Sequence, residues 1–368
     1  MADAPPNLAQ EIRRLIGLAG PMPLNEYMRL CLTHPQLGYY VTRDPLGRGG
    51  DFITAPEISQ MFGELIGMWM AAVWRQMGAP ENLRVVELGP GRGTLMQDAL
   101  RAAKLVPGFL DAIVVHLVEI SPALQRQQEE RLDALGVPVQ WHTTLDEIPA
   151  DPSIVIANEF VDALPVRQAV KQDDGWHERL VGIGPDGDLV MSAAPEPLPH
   201  FEAAMPRALR QAPSGAIYEW RADDLALELG RRMRDNGAAL IIDYGHDRCG
   251  LGDTLQAVAG HFFTEPLRNP GHADLTAHVD FEALAQCAES MGARIHGPIR
   301  QRDFLLQLGI EKRAAVLKAG TPRKAADIES AVSRLLAQGP RGMGDLFKAV
   351  AIAAPKLGVL PAFEPEAP

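Results

Sequence analysis

The sequence predicts an α/β protein: a Rossmann-like, mostly parallel sheet with helices on both faces, a helical N-terminal region and an insertion between core strands. Three observations carry this. From Leu83 onward, short apolar runs alternate with helical stretches. The first run ends in a glycine-rich turn, VVELGPGRGTL. Between Pro165 and about Ser214 the alternation is interrupted by Pro185, Pro195, Pro197, Pro199, Pro206 and Pro213.

Residues 1–80 read as mainly helical, apart from the irregular piece GYYVTRDPLGRGGDFITAPE. Thr54 and Glu57 are spaced as a capping box, with Pro56 tolerated in the first turn. Apolar residues at Ile58, Met61, Phe62, Leu65, Ile66, Trp69, Met70 and Val73 then recur at helical spacing with one buried face. Next, LRVVEL, AIVVHLVEI, VPVQW and SIVIANEF read as strands, and TLMQDALRAA and PALQRQQEERLDAL as the helices between them. Strands that are apolar throughout and joined by helices belong to a parallel sheet covered on both faces. This core is assigned to 81–165 and 215–354. The insertion, 166–214, contains a candidate hairpin in VKQDDGWHERLVGI, turning at Asp174-Gly175. A helix near 221–235 closes at Asn236-Gly237, ALIIDYG is a further buried strand, and another helix runs from Asp280 to Gly292. The Pro-rich residues 355–368 are expected to be an extended or disordered tail.

The net charge of −12 argues against bulk nucleic-acid binding and leaves room for a cationic partner. The three cysteines, Cys31, Cys249 and Cys287, are far apart and without a CxxC pair, so neither a disulfide framework nor a metal site is expected. The longest apolar stretch, LIGMWMAAVW, is too short to span a bilayer. No secretory or mitochondrial leader is legible, and a cytoplasmic protein is expected.

The glycine loop is a nucleotide-binding signature, and Glu87 bears on which nucleotide. A dinucleotide places its pyrophosphate at the helix N-terminus, where a neighbouring carboxylate opposes it. S-adenosyl-L-methionine (SAM) presents an ammonium and a sulfonium instead. At about 4 Å and an effective dielectric of about 20, each such pair is worth about 4 kcal/mol before desolvation. The glycines also fall as G-x-G-x-G, with Thr94 where the NAD fingerprint has its third glycine. The predicted cofactor-binding residues are Glu87, Gly89, Pro90, Gly91 and Gly93, with Glu119 and Ile120 at the tip of the second strand. Glu119 would bind the ribose hydroxyls, or cap the next helix. Thr144 and Leu145, after the third strand, are candidates for the adenine ring, or surface loop.

The fourth strand ends in Asn158, Glu159, Phe160 and Asp162, where open α/β sheets bind ligands. Nitrogen methyltransferases often carry Asn/Asp-Pro-Pro-aromatic here; this chain has a charge, Glu159, in place of the prolines. Acids at the acceptor position suit a cationic acceptor, and arginine pairs bidentately with a carboxylate. Glu159, Asn158 and Asp162 are therefore the catalytic candidates. Phe160, Asp51, Glu57 and His278 are the substrate-side candidates, His278 also being readable as a structural histidine.

Several segments together, HPQLGYY, GDFITAPEISQMFGELIG, VVELGPGRGTLMQDAL, IVIANEFVDALPVRQ, LIIDYG and DLTAHVDF, resemble the MidA-type SAM-dependent methyltransferases. Mitochondrial members of that family assist assembly of respiratory complex I by methylating an arginine of one of its subunits. The resemblance runs over about residues 10–350. It implies a class I methyltransferase core with a seven-stranded sheet, SAM at the Glu87–Gly93 loop and Glu119, and an acceptor near Asn158, Glu159 and Phe160. It also implies a protein substrate, a complex I subunit or a similar protein, and a role for the N-terminal region and insertion in building the acceptor site. DTLQAVAGH (253–261) departs from the more basic and aromatic segment of the family. Alternatives are a small-molecule methyltransferase, a SAM-binding assembly chaperone with little catalysis, and an NAD oxidoreductase.

Overall fold

The computed structural model describes residues 7–42, 53–149 and 152–364. The chain opens with α1 (Leu8–Ala19), a two-residue strand β1 (Met22–Pro23), α2 (Leu24–Thr33) and α3 (Tyr39–Thr42). The single helix expected from Thr54 is broken. Thr54 makes no side-chain cap; α4 (Ala55–Ile58) ends at Ser59, whose extended backbone and side chain cap α5 (Gln60–Gln76). A Ser hydroxyl competing for the backbone starts the helix that the apolar periodicity extends too early.

The central sheet takes β2 (Leu83–Leu88), β3 (Ile113–Val118), β4 (Val139–His142) and β5 (Ser153–Asn158) from the first half of the core, with α6 (Thr94–Ala103) and α7 (Pro122–Leu132) between. The insertion supplies β6 (Val166–Gln172), β7 (Gly175–Ile183), β8 (Leu189–Ala193), α8 (Phe201–Ala204) and β9 (Ile217–Arg221). After α9 (Asp224–Asn236) comes β10 (Gly237–His246), then β11 (Gln256–Ala259), β12 (Phe262–Thr264), β13 (Asp274–Thr276) and β14 (Val279–Asp280). The chain finishes with α10 (Phe281–Ser290), β15 (Arg294–Arg300), α11 (Gln301–Gln307), α12 (Ile310–Gly320), α13 (Ala325–Leu335), α14 (Met343–Leu346) and β16 (Phe347–Ala353).

The main sheet has the order β15-β16-β10-β5-β2-β3-β4, with β14 added beside β10. All pairings from β10 to β4 are parallel, and β16 is antiparallel to both neighbours. That seven-strand path is the sheet of class I methyltransferases. Its strands are buried on both faces: Ala238, Leu240 and Ile242 join the core under α5, α6 and α11, while Ala239 and Ile241 join the core under α9 and α10. Successive side chains pointing to opposite, equally dry faces explain why these strands read as unbroken apolar runs.

A second sheet, β1-β7-β6-β9 with β8 on β7, lies outside this core, and β12-β11-β13 forms a third. Strand β9 pairs with β6, so the insertion's sheet continues past 214, and the third sheet lies within the 215–354 segment. The hairpin turn pairs Gln172 with Gly175, so its tip is Asp173-Asp174, one residue before the expected position. Residues 355–364 of the expected tail pack against the body: Leu360 is fully buried, and the Pro361 and Val359 carbonyls accept hydrogen bonds from Trp69 Nε1 and Gln76 Nε2, both 3.1 Å; the remainder of the tail lies outside the described residues. Proline there shapes a segment that packs on α5, because Leu357, Leu360 and Ala362 supply apolar area to bury.

The α5–α6 crossing depends on small residues. Gly63 and Gly67 lie one turn apart, and a Cβ on Gly67 would fall 2.2 Å from the Ala99 carbonyl oxygen. Backbone cannot yield as a flexible side chain does. Gly67→Ala should therefore cost about 1–3 kcal/mol through overpacking, read as a lower urea midpoint at unchanged slope.

Candidate functional site

The strand order reverses direction between β2 and β5: the chain winds outward from β2 to β4, then returns to place β5 on the other side of β2. Ligands bind in the crevice outside the carboxyl ends of the strands at such a point. There a cavity of about 1010 Å³ opens, lined by residues that include Glu57, Glu87, Gly89, Pro90, Gly91, Glu119, Ile120, Asn158, Glu159, Phe160, Asp162 and His278.

The β2 side of the crevice is a turn that only glycine makes without strain. Gly89, Gly91 and Gly93 have φ of 62°, 53° and 77°. Gly93 caps α6 rather than lining the cavity, and Gln128 lies against it. A Cβ at Gly89 would come within 2.7 Å of the Phe160 ring, so the loops after β2 and β5 touch through this glycine.

Glu87 is buried, and its Oε2 has no hydrogen-bond partner. Burial, then the neighbouring Glu119, pushes its carboxyl up to about 8. Glu119 is pushed up by burial to about 7, against the hydrogen bonds it accepts. Its Oε1 accepts from Ser121 N (2.8 Å), at the start of α7, and its Oε2 from Gln128 Nε2 (3.2 Å). Glu119 thus braces the helix start while lining the cavity. Gln128 Nε2 also donates to the Gly91 carbonyl (2.6 Å), and Gln128 Oε1 accepts from Trp141 Nε1 (2.9 Å). Gln128 thereby ties the glycine loop to the β3 tip, a role hidden in a polar helix sequence.

The β5 side carries Asn158–Asp162. Glu159 sits in the left-handed region, φ 51°, rare for a residue of its size and found where surroundings enforce it. Its Oε1 accepts from Ala55 N (2.9 Å), in the first turn of α4, and from Asn158 Nδ2 (3.2 Å). Burial raises its carboxyl to about 7. Asn158 Oδ1 is buried without a donor. The next three amides, of Phe160, Val161 and Asp162, all donate to Asp243 Oδ2 at 3.2, 2.9 and 3.1 Å. Asp243, fully buried within β10, and Asp162 are both raised by burial. Arg221 clamps the same loop from behind, donating to the Asp162 (3.1 Å), Leu164 (3.2 Å) and His278 (2.6 Å) carbonyls.

Other predicted residues fall differently. Glu57 accepts from Thr94 Oγ1 (2.5 Å), which accepts from Arg131 Nη1 (2.6 Å), so Glu57 is held at the start of α6. His278 lies edge-on to Tyr244, ring centroids 5.4 Å apart, and burial lowers it toward the neutral form. Thr144 and Leu145 do not line the cavity; Thr143 does. Leu145 is buried in the core under α9, and its carbonyl accepts from Arg232. Apolar character at that position serves the core, which the loop sequence does not distinguish from ring stacking. Asp51 lies outside the described residues.

Sequence reasoning missed Asp243 and Arg221, and it missed Tyr40, whose hydroxyl donates to Asp274 Oδ1 at 2.7 Å inside the cavity wall. The signals were present in LIIDYG, GYY and DLTAH, but a buried acid within a strand declares its partners only in three dimensions.

Two buried acceptors without donors, Glu87 Oε2 and Asn158 Oδ1, complement a ligand that brings N–H groups, and an ammonium does so with the matching charge. With the sheet order and glycine loop, they define a class I methyltransferase. The chain belongs to the S-adenosyl-L-methionine-dependent methyltransferase family whose model matches residues 65–299. A Drosophila melanogaster relative, the mitochondrial protein arginine methyltransferase NDUFAF7 homolog, is 39% identical and covers 94% of this chain and 84% of its own. The Homo sapiens protein arginine methyltransferase NDUFAF7, also mitochondrial, is 36% identical over 92% of this chain and 81% of its own. A Burkholderia thailandensis member of the COG1565 superfamily, crystallised with S-adenosyl-homocysteine, superposes with a TM-score of 0.83 at 30% identity, covering 97% of this chain and 94% of that one. The enzyme is a methyltransferase and its cofactor is SAM. The expected cytoplasmic location is overturned by these relatives, which are mitochondrial proteins; the charge and hydropathy patterns behind it govern membrane insertion, not compartment. No described helix is long and apolar enough to cross a membrane.

The raised carboxyls set a pH dependence. A cationic ligand favours the ionised forms of Glu87 and Glu119, so binding releases protons and tightens as pH rises through about 7 to 8. Calorimetry with S-adenosylhomocysteine should show that rise. Glu87→Gln should flatten it and weaken binding by about 1–3 kcal/mol.

Proposed function

We propose that this enzyme methylates an arginine nitrogen of a protein acceptor, with Glu159 as the catalytic carboxylate and Asp162 beside it. The observation that carries the reading is Glu159 itself: an acid in a strained backbone conformation at the β5 tip, one oxygen tied to Ala55 N–H, facing the cavity that Glu87 and Glu119 share. Among the described residues, six acids line that cavity (Glu57, Glu87, Glu119, Glu159, Asp162 and Asp274) against three arginines (Arg29, Arg92 and Arg341), a balance that favours a cationic acceptor. The relatives' names, protein arginine methyltransferase, point the same way.

The division of labour follows from position. The Gly89–Gly93 turn, Glu87, Glu119 and Ile120 hold SAM, with Asn158 between it and the acceptor. When bound, SAM supplies an electrophilic methyl group on a sulfonium, so the protein's tasks are alignment and electrostatics. Glu159 pairs with the guanidinium and localises its charge, which leaves one nitrogen more nucleophilic. A carboxyl raised to about 7 is also matched to taking up the proton that the methylated nitrogen gives up. Tyr244 hydrogen-bonds Asp162 and orients it toward the same cation, and Phe160 closes the wall against the glycine loop. The acceptor protein is, in this reading, a subunit of respiratory complex I or one like it, as the family resemblance implies.

Glu159→Gln tests this. It should lower kcat on arginine peptides by about 10²-fold or more while S-adenosylhomocysteine affinity stays within about threefold. In the native enzyme kcat/KM should rise with pH through about 7, as Glu159 ionises. Equal labelling of peptides with arginine replaced by lysine would defeat the assignment.

A further inference from the structure

The hairpin β11–β12 carries an exposed feature that cofactor chemistry does not use. Gly260 and His261, at its tip, both have positive φ, 57° and 65°, the two-residue turn whose twist matches the flanking strands. The register sets Val258 opposite Phe263 and Ala259 opposite Phe262. Phe262 and Phe263 are 77% and 78% exposed. As consecutive strand residues they point to opposite faces, so β12 is exposed on both faces at these two positions. Strand β12 is the outer member of its three-stranded sheet, and among the described residues no strand pairs with its outward edge. Val258 and Phe263 also line the cavity that contains Glu159 and Asp162.

A free edge bearing two adjacent bare phenylalanines is an aggregation hazard that folded proteins ordinarily blunt with charge or proline. This one is instead continuous with an acid-lined cavity. We propose that β12 is the docking edge for the acceptor polypeptide: an extended segment adds alongside it, delivers its arginine into the cavity, and covers Phe262 and Phe263 with apolar side chains neighbouring that arginine. The proposal rests on the arginine reading above and adds a sequence preference to it. Strand addition gives register through main-chain hydrogen bonds, and side-chain alternation sends the arginine inward while its neighbours lie along the hairpin. The cavity's excess of acids suits the arginine; the phenylalanines select what flanks it.

The test uses short synthetic peptides with one central arginine, flanked either by Leu, Val and Phe or by Ser and Gly, and a labelled methyl donor. The full-length enzyme should prefer the apolar-flanked peptides by about tenfold or more in kcat/KM, expressed in KM. Phe262→Ser should erase that preference while its S-adenosylhomocysteine affinity and its rate on Ser/Gly peptides stay at the native level, and Phe262→Tyr should retain it. The Phe262→Ser, Phe263→Ser double variant should behave as the single variant or worse. A preference missing from the native enzyme, or unchanged in both variants, overturns the docking edge alone. So does loss, in the variants, of flotation with phosphatidylcholine–phosphatidylglycerol vesicles or of a native dimer in sedimentation, with peptide kinetics unaltered. Absence of label on every arginine peptide, with S-adenosylhomocysteine still bound, overturns the arginine reading and the docking edge together.

Discussion

One buried carboxylate holds the loop after β5 in shape. Asp243 Oδ2 gathers the amides of Phe160, Val161 and Asp162, and its Oδ1 accepts from Tyr244 N at 2.9 Å. Three consecutive N–H groups converging on one oxygen require a tight backbone curl, and that curl places Glu159 in the left-handed region just before it. Arg221 fastens the carbonyl side of the same loop. The loop is thus pinned by a strand neighbour in front and by a strand of the insertion sheet behind. A buried acid and a buried arginine thereby offset the backbone strain at Glu159.

The site consequently depends on three layers that are distant in sequence. The central sheet supplies the crevice. The insertion sheet, through β9 and Arg221, supports the loop after β5. The N-terminal segment returns through Ala55 to Glu159, and through Glu57 and Thr94 to the start of α6. The loops after β2 and β5 meet where Gly89 lies against Phe160. The arrangement explains why the Glu87, Glu119 and Glu159 carboxyls are raised rather than lowered. Apolar walls and neighbouring carboxylates disfavour charge until a cation arrives. The electrostatic preference for a cationic cofactor over a diphosphate is then a proton-coupled one, because burial and Glu119 push the Glu87 carboxyl up to about 8.

Much of this was legible in the chain. The core strands announce themselves because a strand buried on both faces has no place for polar residues. The glycine turn is legible because positive φ at alternating positions admits little else. Glu87, Glu119 and Asn158–Asp162 could be picked out because strand ends in a parallel sheet are where ligands sit. Thr144 and Leu145 misled because a loop residue's apolarity does not say whether core or ligand receives it. The break at Ser59 and the packing of 355–364 were missed because helical periodicity and proline content are local, whereas the choice between continuing, breaking and packing is made by contacts with α5 and its neighbours.

What the sequence by itself determined is the set of local demands: which runs must be buried, where glycine must bend the chain, and which acids stand at the ends of strands. What only the tertiary structure decided is which of those acids share one cavity, which partners hold them and how far burial shifts their ionisation. Hydrogen bonds such as Tyr40 to Asp274 span 234 residues. A side chain's pattern in sequence records that it is polar, but its energy depends on what surrounds it, and that is settled only when distant strands close the sheet.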